Sequence, residues 1–170
     1  MVALSFKQVT KPSETPWALL LLSEPRKERL KQYLSEGTCY LAMNNQETVG
    51  TFVVRLNGSG IMELMNISVD PAHRYKGIGR AMLAFLFSLA EDSQIHSLEM
   101  GISNSSIGRL IFLQKSGFRF WGIDHDFYLR NYKEPVFENG IQCRDMLRLA
   151  ISFTPSIKVE PWPFSPGDYD

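Results

Sequence analysis

Asn66-Ile67-Ser68-Val69-Asp70-Pro71-Ala72-His73-Arg74-Tyr75-Lys76-Gly77-Ile78-Gly79-Arg80 is the stretch on which the reading of this 170-residue chain turns. It reads as the end of a strand, an Asp-Pro turn, and a basic, glycine-bearing loop that opens an apolar helix. Glycines let backbone approach a ligand closely, the first amides of a helix lack intrahelical partners, and the helix dipole favours negative charge there. Arg74, Lys76 and Arg80 add positive charge, so the segment is an anion cradle suited to a pyrophosphate. Two familiar nucleotide loops do not fit. A dinucleotide fingerprint needs a third glycine where Met82 stands, and a P-loop needs Gly-Lys-Ser/Thr.

Working outward, Ile78, Met82, Phe85, Leu86 and Leu89 fall on one helical face. Residues 96–102 read as a strand, with Leu98, Met100 and Ile102 alternating. Asn104 or Ser105 can cap a further helix that turns Ile107, Leu110 and Ile111 to the core, with Gly117 at its C-cap. A strand over 118–123, a long loop over 124–142 and a last strand over 144–153 complete this half. Upstream, residues 38–43, 48–56 and 61–69 predict three strands joined by short polar turns, an arrangement suited to antiparallel neighbours. Val2, Leu4 and Phe6 suggest a first strand, and residues 13–22 a short leucine-rich helix. Ser23 before Pro25 can cap a second helix running to about residue 35, with Leu30, Tyr33 and Leu34 as its apolar stripe and Gly37 as its stop. The pattern is an α/β domain on a mostly antiparallel sheet, spanning 1–153. The tail over 154–170, with four of the nine prolines plus Trp162, Phe164 and Tyr169, is expected to dock on the same domain.

Composition narrows the function classes. The chain is 44% hydrophobic and 21% charged, with 18 Lys+Arg against 18 Asp+Glu, an ordinary globular balance. Zero net charge argues against a broad nucleic-acid surface. No run without a charged residue exceeds ten residues, the length of Ala81 to Ala90, far short of the roughly 20 needed to span a bilayer. Cys39 and Cys143 form no metal or redox pattern, so neither a metal nor a disulfide framework is expected. A cytoplasmic setting without a membrane partner follows as the expectation.

Arg74-x-x-Gly77-x-Gly79 after a strand ending in Val-Asp-Pro resembles the Arg/Gln-x-x-Gly-x-Gly/Ala motif of the GNAT superfamily of N-acetyltransferases. The resemblance continues through Asn104, the helix after it and the Lys115-Ser-Gly-Phe118 ending, over roughly residues 38–153, and the later segments look like a bacterial subgroup. It implies a mixed, mostly antiparallel sheet of about seven strands, splayed between the fourth and fifth and flanked by about four helices. It implies acetyl-CoA as cosubstrate, its pantetheine arm against the backbone of Ile67, Ser68 and Val69. The pyrophosphate would lie on the amides of Arg74, Tyr75, Lys76, Gly77, Ile78, Gly79 and Arg80, and Asn104 would touch the cofactor arm. The implied acceptor is a small cationic amine, acetylated by direct transfer in a ternary complex. Acetylation of a protein amine and a non-catalytic acyl-CoA-binding module are the alternatives, and a homodimer is left open.

Transfer from a thioester needs a base for the ammonium, donors for the oxyanion and a proton for the thiolate. Glu63 is the candidate base, six residues before Val69 and so expected on the same strand face by parity, at the spacing the resemblance assigns to a base glutamate. Asp126 and His125 are its rivals. Leu113 stands where many family members carry a tyrosine, so the proton comes from Tyr128 or Tyr132, the thiolate leaves unassisted, or turnover is weak. Trp17, Trp121, Phe127, Tyr128 and Tyr132 are candidate lining groups for the acceptor. Asp124, Asp126, Glu134 and Glu138 outnumber Arg130 and Lys133 over 121–140. This predicts a field that attracts a cation, with Asp124 and Asp126 as substrate contacts.

Overall fold

The computed structural model describes residues 4–153 apart from Gln94, so Val2 and the tail over 154–170 lie outside the described residues. Nine strands and five helices are found there. They run β1 (Ser5–Gln8), α1 (Trp17–Leu20), α2 (Lys27–Glu36), β2 (Thr38–Asn44), β3 (Glu47–Leu56), β4 (Ile61–Val69), α3 (Ile78–Asp92), β5 (Ser97–Ser103), α4 (Ile107–Lys115), β6 (Arg119–Asp124), α5 (Phe127–Asn131), β7 (Phe137–Glu138), β8 (Ile141–Gln142) and β9 (Met146–Ser152). Seven strands form one sheet in the order β1-β2-β3-β4-β5-β9-β6, and β7-β8 is a separate hairpin. Every pair in the large sheet is antiparallel except β4 with β5. That exception follows from connectivity, because β4 and β5 are joined through α3 and a crossover helix makes parallel neighbours.

The sheet is covered on both faces. On one, Ile78, Met82 and Leu86 of α3 and Leu113 of α4 bury against Phe52, Leu64, Ile67, Leu98 and Ile102. Phe85 stacks on Phe6 at 4.2 Å, and Tyr40 on Phe52 at 5.1 Å, tying β1, β2 and β3 to α3. On the other face Leu20 and Leu30 bury against Cys39 and Val53, with Trp17, Tyr33, Leu34 and Met65 around them. Each fully buried leucine contributes about 1.5–3 kcal/mol from removal of its apolar surface from water.

Several expectations are corrected. The helix expected over 13–22 is divided into a 3₁₀ turn at Pro12–Glu14 and the single turn α1, because Pro16 cannot continue the hydrogen-bond ladder. The N-terminus of α2 is served by Glu24 rather than Ser23, with Glu24 Oε1 accepting from Arg26 N–H at 3.0 Å. In α4 the core face is Leu113, with Leu110 and Phe112 beside it, while Ile107 and Ile111 point to solvent. The segment 124–142 is no plain loop, since it holds α5 and the β7-β8 hairpin.

Among the described residues no helix is long and apolar enough to cross a membrane. The stacked aromatic layer makes a test of the core. Replacing the fully buried Phe52 by alanine should cost about 3–5 kcal/mol in urea unfolding, as cavity-forming Phe→Ala changes do. A loss under 1 kcal/mol would mean this layer does not hold the sheet to α3.

Candidate functional site

The site begins where β4 and β5 part. Their parallel pairing has three rungs, Ile61 with Ser97, Met62 with Leu98 and Glu63 with Glu99, and then stops. Beyond it β4 continues to pair with β3 on its other edge, through Asn66–Val53, Ile67–Phe52, Ser68–Thr51 and Val69–Gly50. The backbone groups of Ile67, Ser68 and Val69 that point away from β3 therefore face an opening rather than a neighbouring strand. Backbone donors and acceptors left this way need a partner, which a ligand with amide groups can supply. Ser68 Oγ and Asn66 Oδ1 are also buried there without a hydrogen-bond partner.

At the C-terminal end of β4 the chain turns into the anion cradle. Asp70 accepts from Ala72 N–H at 2.8 Å and holds a 3₁₀ turn, Pro71–His73. Tyr75 and Gly77 both take positive φ, 62° and 83°, and α3 starts with no side chain capping its first amides. A Cβ on Gly77 would meet nothing within 4 Å, so the space over the helix start is open. Gly79 instead faces Phe112, whose ring carbon lies 3.2 Å from a notional Cβ, so its smallness lets α4 pack beside α3. Ile78 is buried and anchors the turn. Arg74 Nε and Lys76 Nζ donate only to the carbonyls of Val69 and Ala72, and neither they nor Arg80 has an ion-pair partner among the described residues. Three cations without ion-pair partners around uncapped helix amides fit a pyrophosphate.

On the α1–α2 side of the sheet two adjoining clefts of about 360 and 320 Å³ meet at the parted strands. Arg29, Tyr33, Met65, Gly101 and Met146 belong to both. Glu63 lines the first cleft, but not by the expected parity. The register skips Met65, so that Val53 pairs with Asn66 and Val54 with Leu64. This β-bulge reverses the alternation. Val69 packs on the α3 face, whereas Glu63 lies on the opposite face with Met65 and Tyr33. Arg55 Nη2 donates to Glu63 Oε2 at 2.5 Å and Arg55 also pairs with Glu36, while Glu63 Oε1 takes no hydrogen bond among the described residues.

Tyr128 lines the second cleft, as do Tyr132 and the splayed residues Met100–Ser103 of β5. The two rings lie 4.9 Å apart. Burial pushes the Tyr128 hydroxyl up to about 12, and burial with the nearby Glu24 carboxylate pushes Tyr132 further still, so both phenols stay neutral and donate hydrogen bonds rather than protons. Leu113, by contrast, is wholly buried in the core. Phe127 lines the first cleft, Trp17 packs beneath α2, and Trp121 is exposed on β6.

Other expected residues lie elsewhere or are engaged. Asn104 Oδ1 accepts from Arg144 and Asp145 N–H at 2.7 and 3.0 Å, and its Nδ2 donates to the Gln142 carbonyl at 3.1 Å. Its side chain thereby fastens the segment after the β7-β8 hairpin. Asp124 pairs with Arg130 and, at 3.6 Å, with Arg148; Asp126 accepts from Arg144 Nε at 2.6 Å. Neither acid lines a cleft, nor does the exposed His125. The charge count over 121–140 misses this because Arg144 and Arg148, from outside that window, meet the acids. Glu138 accepts from Ser103 at 3.1 Å and from Ser106.

Glu24 and Arg29 are charged cleft residues that no motif marks. Glu24 is buried between α1 and α2, accepts from Tyr132 Oη at 3.3 Å and pairs with Arg26 and Arg29. Arg29 stands on the polar side of the α2 stripe. The signal in reach was an acid directly before Pro25 at a helix start. Among the described residues no group of three or more His, Cys, Asp or Glu side chains is placed to hold a metal.

The model of the acetyltransferase (GNAT) family matches residues 7–118. The chain is similar to an uncharacterized N-acetyltransferase, YvbK, of Bacillus subtilis strain 168, with 43% identity over 131 residues, 77% of this chain and 84% of that one. It is similar to a GNAT family acetyltransferase from Elizabethkingia anophelis solved with acetyl-CoA bound, at 37% identity and a TM-score of 0.84, covering 88% of this chain and 97% of the other. A Bacillus subtilis acetyltransferase solved in complex with CoA is 38% identical with a TM-score of 0.82, covering 88% and 99%.

The tyrosine shift predicts a pH dependence. An unfolded tyrosine titrates near 10, so the neutral phenol of Tyr128 favours the folded chain. That contribution is fully present below about pH 10 and is lost as pH rises towards about 12. Tyr128→Phe should therefore lose less stability than wild type between about pH 9 and 11, measured by urea unfolding. Parallel losses in the two proteins would contradict the burial of this hydroxyl.

Proposed function

The chain belongs to the GNAT acetyltransferase family and is an acetyl-CoA-dependent acetyltransferase, and on that premise we propose that it acetylates a small cationic amine by direct transfer within a ternary complex. The observation that carries this reading is the unpaired edge of β4 between an uncapped, cationic helix start and a cleft holding a carboxylate. Relatives solved with acetyl-CoA and with CoA bound support acetyl-CoA as the cosubstrate.

Arg74, Lys76, Arg80 and the amides from Tyr75 to Arg80 hold the pyrophosphate, and the free edge of Ile67–Val69 pairs with the pantetheine arm. Asn104 sits beside this path, with its side chain given to the hairpin segment. Glu63 offers its uncommitted Oε1 to the acceptor ammonium and takes the proton whose loss frees the nitrogen lone pair. The nitrogen then forms a bond to the acetyl carbon. Free β4 N–H groups donate to the carbonyl oxygen as it gains charge. The carbon–sulfur bond breaks and the thiolate leaves hydrogen-bonded to the Tyr128 phenol, which keeps its own proton, and CoA takes up a proton from solvent. Asp124 and Asp126 serve to order the segment between β6 and β9 through their arginines.

Two measurements test the assignment. Glu63→Gln should lower kcat/KM by about 10²–10⁴ with acetyl-CoA affinity retained, the usual yield of general base catalysis. Turnover at the wild-type rate would move the base elsewhere. Arg74→Glu with Arg80→Glu, both on exposed and unpaired side chains, should weaken acetyl-CoA binding at least about tenfold by calorimetry while leaving unfolding unchanged. Unaltered affinity would remove the pyrophosphate from this loop. Binding of acetyl-CoA without CoA release for any amine would favour an acyl-CoA-binding module.

A further inference from the structure

The ion-pair groups around the two clefts are locally unequal in charge. In one group Glu36 and Glu63 share the single guanidinium of Arg55, an excess of one negative charge. In the other, the buried Glu24 is shared by Arg26 and Arg29, an excess of one positive charge. Arg148, whose partner Asp124 is also taken by Arg130, lines the first cleft and lies against Gly101 of β5.

Within this arrangement Arg29 is singular. Its Nε donates to Tyr33 Oη at 2.9 Å and lies 3.7 Å from Glu24 Oε2, while its two terminal nitrogens meet no acceptor among the described residues. Its guanidinium carbon stands 5.4–5.8 Å from the rings of Phe127, Tyr33 and Tyr132, which fix its direction, and the side chain is 25% exposed. It lines both clefts together with Met65 and Gly101, the residues that flank the opening between β4 and β5. A guanidinium held by aromatic rings with its fork unused is the geometry that receives a carboxylate through two parallel hydrogen bonds. Those donors are not buried, so a carboxylate entering the cleft can reach them.

We propose that Arg29 binds a carboxylate carried by the acceptor, so that the acceptor is an amino acid or similar amine with a carboxylate a few atoms from the nitrogen. The ammonium lies towards Glu63 and the carboxylate at Arg29, matching the local excess of charge at each. This rests on the acetyltransferase reading above and replaces its cationic amine by a zwitterion whose ammonium is the group acetylated.

The test compares L-amino acids with their α-carboxamides at saturating acetyl-CoA, following CoA release. The carboxamide keeps the amine and loses only the negative charge, and its amine is the less basic of the two, so intrinsic reactivity favours the carboxamide. Wild type should nevertheless prefer the free acid by about 10–100-fold in kcat/KM, the value of hydrogen bonds to a charged group. Arg29→Gln should raise KM for the acid by a similar factor, with kcat/KM for the carboxamide within about twofold and KM for acetyl-CoA unchanged. Arg29→Lys, which keeps charge but not the fork, should fall between. Equal use of acid and carboxamide by wild type, which needs no variant to fold, would overturn the proposal, as would equal losses on both in Arg29→Gln. The two readings fail differently. If polyamines, amino sugars or peptide N-termini release CoA and amino acids do not, the carboxylate site is wrong and the acetyltransferase reading stands. If acetyl-CoA binds and no amine of any class releases CoA, the acetyltransferase reading falls and this proposal with it.

Discussion

The bulge at Met65 is the constraint on which the site depends. An extra residue in β4 leaves one position unmatched, bends the strand and increases its twist. The last rung between β4 and β5, Glu63 with Glu99, lies immediately before it. Past that point β4 leaves β5, and its outer edge is free of strand partners through Val69. Two features of the molecule therefore have one origin. The same residue opens the sheet for a ligand with amide groups and turns Glu63 onto the face that carries α1 and α2.

The opening divides the binding surface by charge. On the α3 side, cations without an ion-pair partner among the described residues surround a helix start that no side chain caps, a surface that is complete only with an anion on it. On the α1–α2 side every acid of the clefts has a cationic or hydroxyl partner, and the charges are unequal only locally, negative around Glu63 and positive around Glu24 and Arg29. Polar groups in a partly desolvated site are costly unless satisfied, so these local excesses mark where a ligand's own charges belong. The phenols of Tyr128 and Tyr132 complete the surface with donors that burial keeps protonated.

The fold was legible where periodicity and punctuation are strong. The strand ends in β3 and β4, the apolar face of α3 and the glycine at its start follow directly from residue spacing. The Arg74-to-Arg80 loop was legible for a further reason, because its chemistry is local: glycines, cations and a helix start within seven residues. Other features depend on contacts between distant segments. A bulge formed by Met65, with no glycine or proline to announce it, is invisible to a parity argument that assumes regular alternation. Asn104 could not be separated from a cofactor contact until Gln142, Arg144 and Asp145 were brought to it. The acids at 124 and 126 seemed unpaired only because β9 delivers Arg148, and the turn before it Arg144, from outside the window being counted. Glu24 and Arg29 acquire meaning only once α1, α2 and α5 converge on the parted strands.

Amide hydrogen exchange across β4 and the start of α3, with and without acetyl-CoA, is the measurement closest to the central claim. If the open edge of β4 and the uncapped helix start are the cosubstrate site, protection should rise on binding at amides within Met65–Val69 and Lys76–Arg80, with β1 and β2 unchanged. Saturating acetyl-CoA that protects neither segment, or protects another part of the sheet instead, would contradict the account.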